Sequence, residues 1–381
     1  MKILINCSTL SGTGVTQVAV SFIIECVDIV SNEYHVFLSR TVDRELKNIV
    51  FPSNFYFYNF CAHPLYGFKG FQIRTKLRQL EKKINPDCVF SVFGPSWWTP
   101  LKPHLAGYAY PHYVYEDSPF FENISFIENI KIHFFKSIHL FFLKRNAQFF
   151  VCETEDVSKR LVKLFNCKND QVLTVSNTYN EFFNRDENID LKLLPRKSDG
   201  EFRLLSLCSF ASHKNLVILN KVIPLLNITI PGNKIRFILT VDNDLFEKFI
   251  DIKVRGSIIN VGRINVEKCP QMYMECDALF LPTTLECFSA NYPEAMKMAK
   301  PIITSNLSFA TSVCGNAALY FDPYNENEIV EVIEDLVNNT ELRERLVING
   351  IKQLNLFLTP KQRAEKYLSI CESIILNNKS K

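Results

Sequence analysis

The stretch Leu281-Pro-Thr-Thr-Leu-Glu-Cys-Phe-Ser-Ala-Asn-Tyr-Pro-Glu-Ala-Met-Lys-Met-Ala-Lys-Pro301 leaves its part of the chain few ways to fold. Before it, Asp277-Ala-Leu-Phe-Leu281 is a short apolar run that reads as a buried strand. After it, Pro-Ile-Ile-Thr304 reads as the next strand. Pro293 suits the first turn of a helix, and Pro301 ends that helix. The loop Thr284–Asn291 therefore stands at a strand's carboxyl end and before a helix N-terminus. In open α/β sheets ligands bind there, and backbone N–H groups favour anions. Glu286 and Glu294 bracket the loop with seven residues between them. Each carboxylate can accept two hydroxyl hydrogen bonds, as the vicinal diols of a ribose or hexose would offer.

A chain of 381 residues exceeds the size at which one core keeps growing, so two domains are expected. With 47% hydrophobic and 22% charged residues it can bury two cores. The apolar runs are broken well short of a membrane span. The start, Met-Lys-Ile-Leu-Ile-Asn6, reads as a strand rather than a signal peptide. Twelve cysteines stand singly, with no C-x-x-C and no histidine pair at metal-ligand spacing. They read as small buried hydrophobes in a reducing, cytosolic compartment. From Tyr66 to Arg145 there are 11 Lys/Arg against 6 Asp/Glu. That bias is too weak for a nucleic-acid interface, but it suits an acidic acceptor or an anionic membrane surface.

In chain order, Lys2–Asn6 reads as a strand, Ser11-Gly-Thr-Gly-Val15 as a glycine loop and Thr16–Val30 as a helix. This is the first unit of a Rossmann-like domain, although the loop lacks the full G-x-G-x-x-G of a dinucleotide site. The alternative reading of Gly12 and Gly14 is a tight turn needing positive φ. Gly94-Pro-Ser-Trp-Trp-Thr-Pro100 reads as a turn that either exposes aromatic rings at a strand end or packs under a long loop. Ile127–Arg145 reads as a helix with an apolar face (Ile127, Ile130, Phe134, Ile138, Phe141, Phe142) and interspersed Lys131, Lys136, Lys144 and Arg145. Such a helix either lies in a membrane interface or turns its apolar face to the core. Val241-Asp-Asn-Asp244 reads as a polar loop, not a metal site.

Glu286-Cys-Phe-Ser-Ala-Asn-Tyr-Pro-Glu294-Ala resembles the E-x7-E motif of the retaining glycosyltransferases of family 4. Asn260-Val-Gly-Arg-Ile and Met272–Thr284 are similar to the family's approach to the motif. Ala299–Ser305 and Gly315–Pro323 are similar to its sequel. The likeness runs from about Arg203 to Leu346 and is weaker before that.

The resemblance implies a GT-B fold, α/β, with two Rossmann-like domains facing each other across a cleft. It divides the chain into an N-terminal acceptor domain over 1–178, a linker over 179–200 and a donor domain over 201–360, with a last helix, 361–381, packing back on the first domain. It implies transfer of a hexose, with retention, from a nucleotide-diphosphate sugar to a glycan or lipid-linked glycan acceptor in surface polysaccharide biosynthesis. Glu286 would meet the donor sugar and Glu294 the ribose. Lys214 would grip the diphosphate, and His112 would reach the donor sugar. Phe288, Ser289, Ala290, Asn291, Gly12 and Gly14 would line the donor. No metal or other cofactor is implied. Where the family usually has an arginine five residues before the lysine, this chain has Ser209, so Arg263 becomes the candidate second cation. Cys287 and Ser289 replace glycines that often flank the phenylalanine of the motif, which narrows the pocket. The protein is expected in the cytoplasm, with contact to the inner face of the cell membrane through 127–145. Two alternatives stand beside this reading: a nucleotide-sugar epimerase on the same fold, and an inactive relative that serves as a binding or scaffold subunit.

Overall fold

In the computed structural model, which describes residues 1–185, 192–230 and 234–379, the apolar runs form two parallel sheets. The first contains β1 (Lys2–Cys7), β2 (Glu33–Leu38), β3 (Phe55–Asn59), β4 (Cys88–Ser91), β5 (His104–Gly107), β6 (Phe149–Cys152) and β7 (Val172–Thr174), in the order β3-β2-β1-β4-β5-β6-β7. The second contains β8 (Glu201–Ser206), β9 (Lys234–Leu239), β10 (Ile258–Asn260), β11 (Ala278–Leu281), β12 (Ile302–Ser305) and β13 (Ala318–Phe321), in the order β10-β9-β8-β11-β12-β13. Strands buried on both faces need continuous apolar runs, and Ile3-Leu-Ile5 and Ala278-Leu-Phe-Leu281 supply them. These are two Rossmann-like α/β units, the fold class that the sequence suggests.

The first unit comprises Met1–Glu116, Ile124–Asn177 and Leu358–Lys381; the second comprises Asp117–Asn123 and Thr178–Phe357. In the first, helix Thr13–Glu25 packs on one face of the sheet together with the C-terminal helix Pro360–Lys379, whose Ala364, Tyr367, Leu368 and Cys371 join the core. The last two residues of the expected helix 361–381 lie outside the described residues. Arg363 is buried in this core; it donates to Ser21 Oγ at 2.7 Å and to Asn177 Oδ1. A smaller cluster, with Leu77, Ile84 and Trp98, seats helix Gly67–Ile84 on the first sheet.

Of the stretch 179–200, residues 186–191 lie outside the described residues. Leu193 N and Leu194 N each donate to the Glu275 carboxylate at 2.9 Å, and Phe183 lies 6.0 Å from Tyr273. Those residues thus pack on the second unit. Asp117–Asn123 does too, held by Ser118, whose hydroxyl donates to Thr284 O at 2.6 Å.

Two glycines are demanded by the packing. A Cβ at Gly107 would sit 1.7 Å from Val92 O, and one at Gly94 (φ +82) would meet the Tyr110 hydroxyl at 2.7 Å. The turn after Gly94 does not expose its aromatic rings. Trp97 and Trp98 are 2% and 4% exposed, and the Trp98 indole donates to Glu81 at 2.7 Å. The second of the two readings of that turn is therefore the observed one. All twelve cysteines are free thiols and eight are buried, as small hydrophobes would be.

Candidate functional site

In the second sheet the chain proceeds from β8 outward through β9 to β10, then returns to place β11 on the other side of β8. Beyond the carboxyl ends of β8 and β11 lies the point at which an open α/β sheet leaves room for a ligand. The loop after β8 carries Lys214 and the loop after β11 carries Glu286, so neighbouring strands bring the two together from 72 positions apart.

The junction is tied by backbone as well as side chains. The carbonyl of His213 accepts from Thr284 N at 2.7 Å, Thr283 Oγ1 at 3.0 Å and Thr284 Oγ1 at 3.1 Å. Asn215, in the left-handed region at φ 52°, donates its buried amide to Pro323 O at 2.7 Å. Asparagine tolerates that conformation better than most residues. Asn291, at the start of helix Asn291–Lys297, donates to Leu207 O at 2.7 Å. Between these ties the Lys214 ammonium forms an ion pair with Glu286, whose carboxylate also lies 3.4 Å from Thr283 Oγ1. Burial alone would lower the pKa of Lys214, but the Glu286 charge, the nearby Cys208 and the hydrogen bond to Glu286 together outweigh it and hold the ammonium above its ordinary range.

Glu294 stands in the first turn of helix Asn291–Lys297, partly shielded from solvent. Its Oε2 lies 3.1 Å from the Tyr273 hydroxyl. Burial pushes its pKa up to about 7, although the Tyr273 hydrogen bond lowers it. A carboxyl in this state titrates near neutrality and is poised to accept hydroxyl hydrogen bonds once ionised. Phe288 and Ser289, in the loop before this helix, are buried, and Phe288 lies 6.2 Å from Phe357.

Arg263 takes a different position. It follows β10, two strands from β8 and so roughly 10 Å along the sheet edge. Its side chain is 80% exposed and lies 3.6 Å from Asp242. Asp242 caps helix Asn243–Phe249 by accepting from Asp244 N at 3.2 Å, so the D-x-D stretch is a helix start.

In the first unit, Gly12 and Gly14 stand at the N-terminus of helix Thr13–Glu25, after β1. Neither has positive φ, and Gly12 sits at φ −77°, so a turn's conformational demand does not account for them. A Cβ on Gly14 would meet nothing within 4 Å. His112 lies on the one-turn helix Pro111–Val114 beyond β5. Around it Tyr110 stacks on Tyr113 at 5.2 Å, and the Tyr113 hydroxyl lies 2.8 Å from His139 Nδ1.

Sequence reasoning missed Tyr273, Thr283, Thr284, Asn215 and Ser118. The first four lie in or beside the recognised motifs, and polar residues adjoining a motif are the signal that could have found them. Ser118 lies far from any motif, and only the chain path reveals it.

Residues 194–353 match the family model of glycosyl transferases group 1. An uncharacterized glycosyltransferase of Methanocaldococcus jannaschii is 30% identical over 125 residues, which is 30% of this chain and 34% of the relative, so the match spans about a third of that protein. Among solved structures, a glycosyltransferase from Rickettsia africae superimposes with a TM-score of 0.72 at 17% identity, covering 98% of each chain. Anabaena Alr3699/HepE, solved with UDP and glucose, gives 0.71 at 13% identity over 98% of this chain and 100% of its own. The chain thus shares its fold with solved glycosyltransferases, and most of its second unit matches the group 1 family model.

Proposed function

We propose that this protein is a retaining glycosyltransferase of family 4 that moves a hexose from a nucleotide-diphosphate sugar to a glycan or lipid-linked glycan of a surface polysaccharide. The observation that carries this reading is the grouping of Lys214 and Glu286 at the ends of β8 and β11, with Glu294 on the following helix. That HepE binds UDP and UDP-glucose on the same fold supports a nucleotide-sugar donor.

Departure of a nucleoside diphosphate leaves an oxocarbenium-like centre at the anomeric carbon. The growing charge on the leaving group calls for fixed positive potential, and Lys214 stands ready to supply it. In the donor-free state Glu286 holds that ammonium in place. With donor bound, the diphosphate takes over the ammonium and Glu286 turns to sugar hydroxyls. Glu294 accepts the ribose hydroxyls. His112 is assigned to the donor sugar by its likeness to the family histidine. No divalent metal is required in this scheme, so transfer should persist in EDTA.

The experiment is a thermal-shift screen against nucleotide-sugars. A ligand at about a hundred times its dissociation constant adds roughly 2.7 kcal/mol of stability. The matching donor should raise the melting temperature, and incubation with acceptor should then yield a product of retained anomeric configuration. Absence of any shift overturns the donor site. Conversion of donor without acceptor would identify the epimerase.

A further inference from the structure

Helix Phe126–Asn146 turns five of its apolar residues to solvent, while Ile138 and Phe142 of the expected apolar face are partly buried. Phe126, Ile127, Ile130, Phe134 and Phe141 are 53–79% exposed, whereas its only fully buried side chains are Leu143 and Asn146. At about 100° per residue the five exposed residues fall within a single arc of about 100°, with Lys144 and Arg145 at its edges and Lys131 just beyond. Of the four basic residues that flank the stripe in sequence, Lys136 alone turns inward, where it pairs with Glu116.

A second helix shares the feature. Gly67–Ile84 carries six Lys/Arg and a single acid, Glu81, which is buried against Trp98 and the 101–102 backbone. At its start Phe68 and Phe71 are 75% and 58% exposed. It joins β3 to β4, and Phe126–Asn146 joins β5 to β6. Both connections step across the sheet in one direction, so right-handed crossovers put both helices on the same face. Trp97 links them, its ring 5.1 Å from His63 and 5.1 Å from Phe142; His63 in turn lies 5.1 Å from Tyr66.

We propose that these two helices form one docking face for an anionic bilayer surface, with the phenylalanines entering the headgroup boundary and the lysines and arginines meeting lipid phosphates. An exposed apolar stripe with basic flanks is the pattern of a helix lying in the interface plane. The charge selects an anionic lipid surface over an uncharged partner. No helix among the described residues is long and apolar enough to cross a membrane. This deepens the lipid-linked acceptor reading above, and rests on it only for the purpose of the contact.

The test is co-sedimentation of the full chain with phosphatidylcholine vesicles, with and without phosphatidylglycerol. The wild type should bind the anionic vesicles, and added salt should weaken the binding. Phe126→Ser, Phe134→Ser and Phe141→Ser together should lower partitioning at least about tenfold. Phe68→Ser with Phe71→Ser should lower it severalfold. Lys131→Gln, Lys144→Gln and Arg145→Gln together should remove most of the preference for phosphatidylglycerol, at roughly fivefold per residue. The donor-induced thermal shift should be unchanged in every variant, which separates this proposal from the donor-site reading. Wild type that ignores anionic vesicles overturns the proposal. So does a dimer in gel filtration that the phenylalanine variant dissolves, which would assign the stripe to a second copy. Full binding by the Phe68/Phe71 variant overturns the two-helix face.

Discussion

The first six strands of each sheet follow the same order, and the two sheets differ in what stands at their switch points. In the first unit, Asn6 on β1 and Ser91 on β4 are register partners, and a chain of neutral side chains runs through them. Ser8 donates to Asn6 Oδ1 at 2.7 Å, the Asn6 amide to Ser91 Oγ at 3.0 Å, and Ser91 to His104 Nε2 at 2.9 Å. With His104 Nδ1 donating to Asn146 O at 2.8 Å, the imidazole is neutral, and burial lowers its pKa to about 4. In the second unit the loops beyond β8 and β11 hold Lys214 and Glu286, and the following helix holds Glu294, all ionisable and none fully enclosed. A neutral network satisfied by its own members stabilises the fold. A charged one at the sheet's edge costs desolvation unless a ligand completes it. On the proposed function, the difference would put the charged chemistry on the second sheet and a neutral scaffold network in the first.

The sharpest way to break this comparison is to remove a residue from each network. Lys214→Ala should lower kcat by about 10²–10³-fold, the usual loss for a fixed electrostatic stabiliser of a leaving group. The matching nucleotide-sugar should also bind more weakly. Ser91→Ala, by contrast, strands the Asn6 amide and His104 Nε2, and should cost about 1–3 kcal/mol of stability with KM unchanged. Steady-state kinetics and chemical denaturation of both variants read the two effects. Equal losses of activity would erase the division of labour.

The legible part of the molecule follows from its physics. Continuous apolar runs such as Ala278–Leu281 and the helix stop at Pro301 revealed parallel strands and crossovers, because local sequence alone sets them. Glu286 and Glu294 stand out as candidates through the motif, and Lys214 through the family resemblance. The ties that position them do not. The three hydrogen bonds on His213 O join residues 70 or 71 apart, and Ser118 reaches Thr284 across 166 positions. No local pattern encodes such pairings. The apolar face of Ile127–Arg145 was visible as a periodicity, but a period does not say whether its face turns inward or outward. That depends on which side of the helix the sheet occupies.

Glu294 provides a smaller effect with a pH signature. Its folded pKa of about 7 lies above the ordinary glutamate value of 4.5, so protonation favours the folded state. The stability contributed is fully present below about pH 4.5 and is lost as pH rises through 7. Glu294→Gln should therefore raise stability at pH 8, by about 1–3 kcal/mol, and leave it nearly unchanged at pH 4. Donor binding runs the other way. Ribose hydroxyls favour the ionised carboxylate, so affinity for the nucleotide-sugar should increase from pH 6 to 8 with an inflection near 7. Calorimetry of wild type and Glu294→Gln across that interval checks both slopes. A variant that keeps the wild-type slope would remove Glu294 from the donor site.

The smallest expected effect asks whether the glycine loop of the first unit meets ligand. Gly107 is held by packing against Val92 O, but Gly14 is held by nothing in the fold: its φ is not positive and a methyl group there would touch no atom within 4 Å. Inside a helix glycine is also the less stable choice. Gly14→Ala should thus stabilise the protein by roughly 0.4–1 kcal/mol, by restricting the unfolded chain. If the space above that helix end is where donor phosphates or acceptor approach, the same methyl group should raise KM severalfold while the melting temperature climbs. Stabilisation with unchanged KM would mean that the glycine loop meets no ligand, leaving His112 as the first unit's candidate contact.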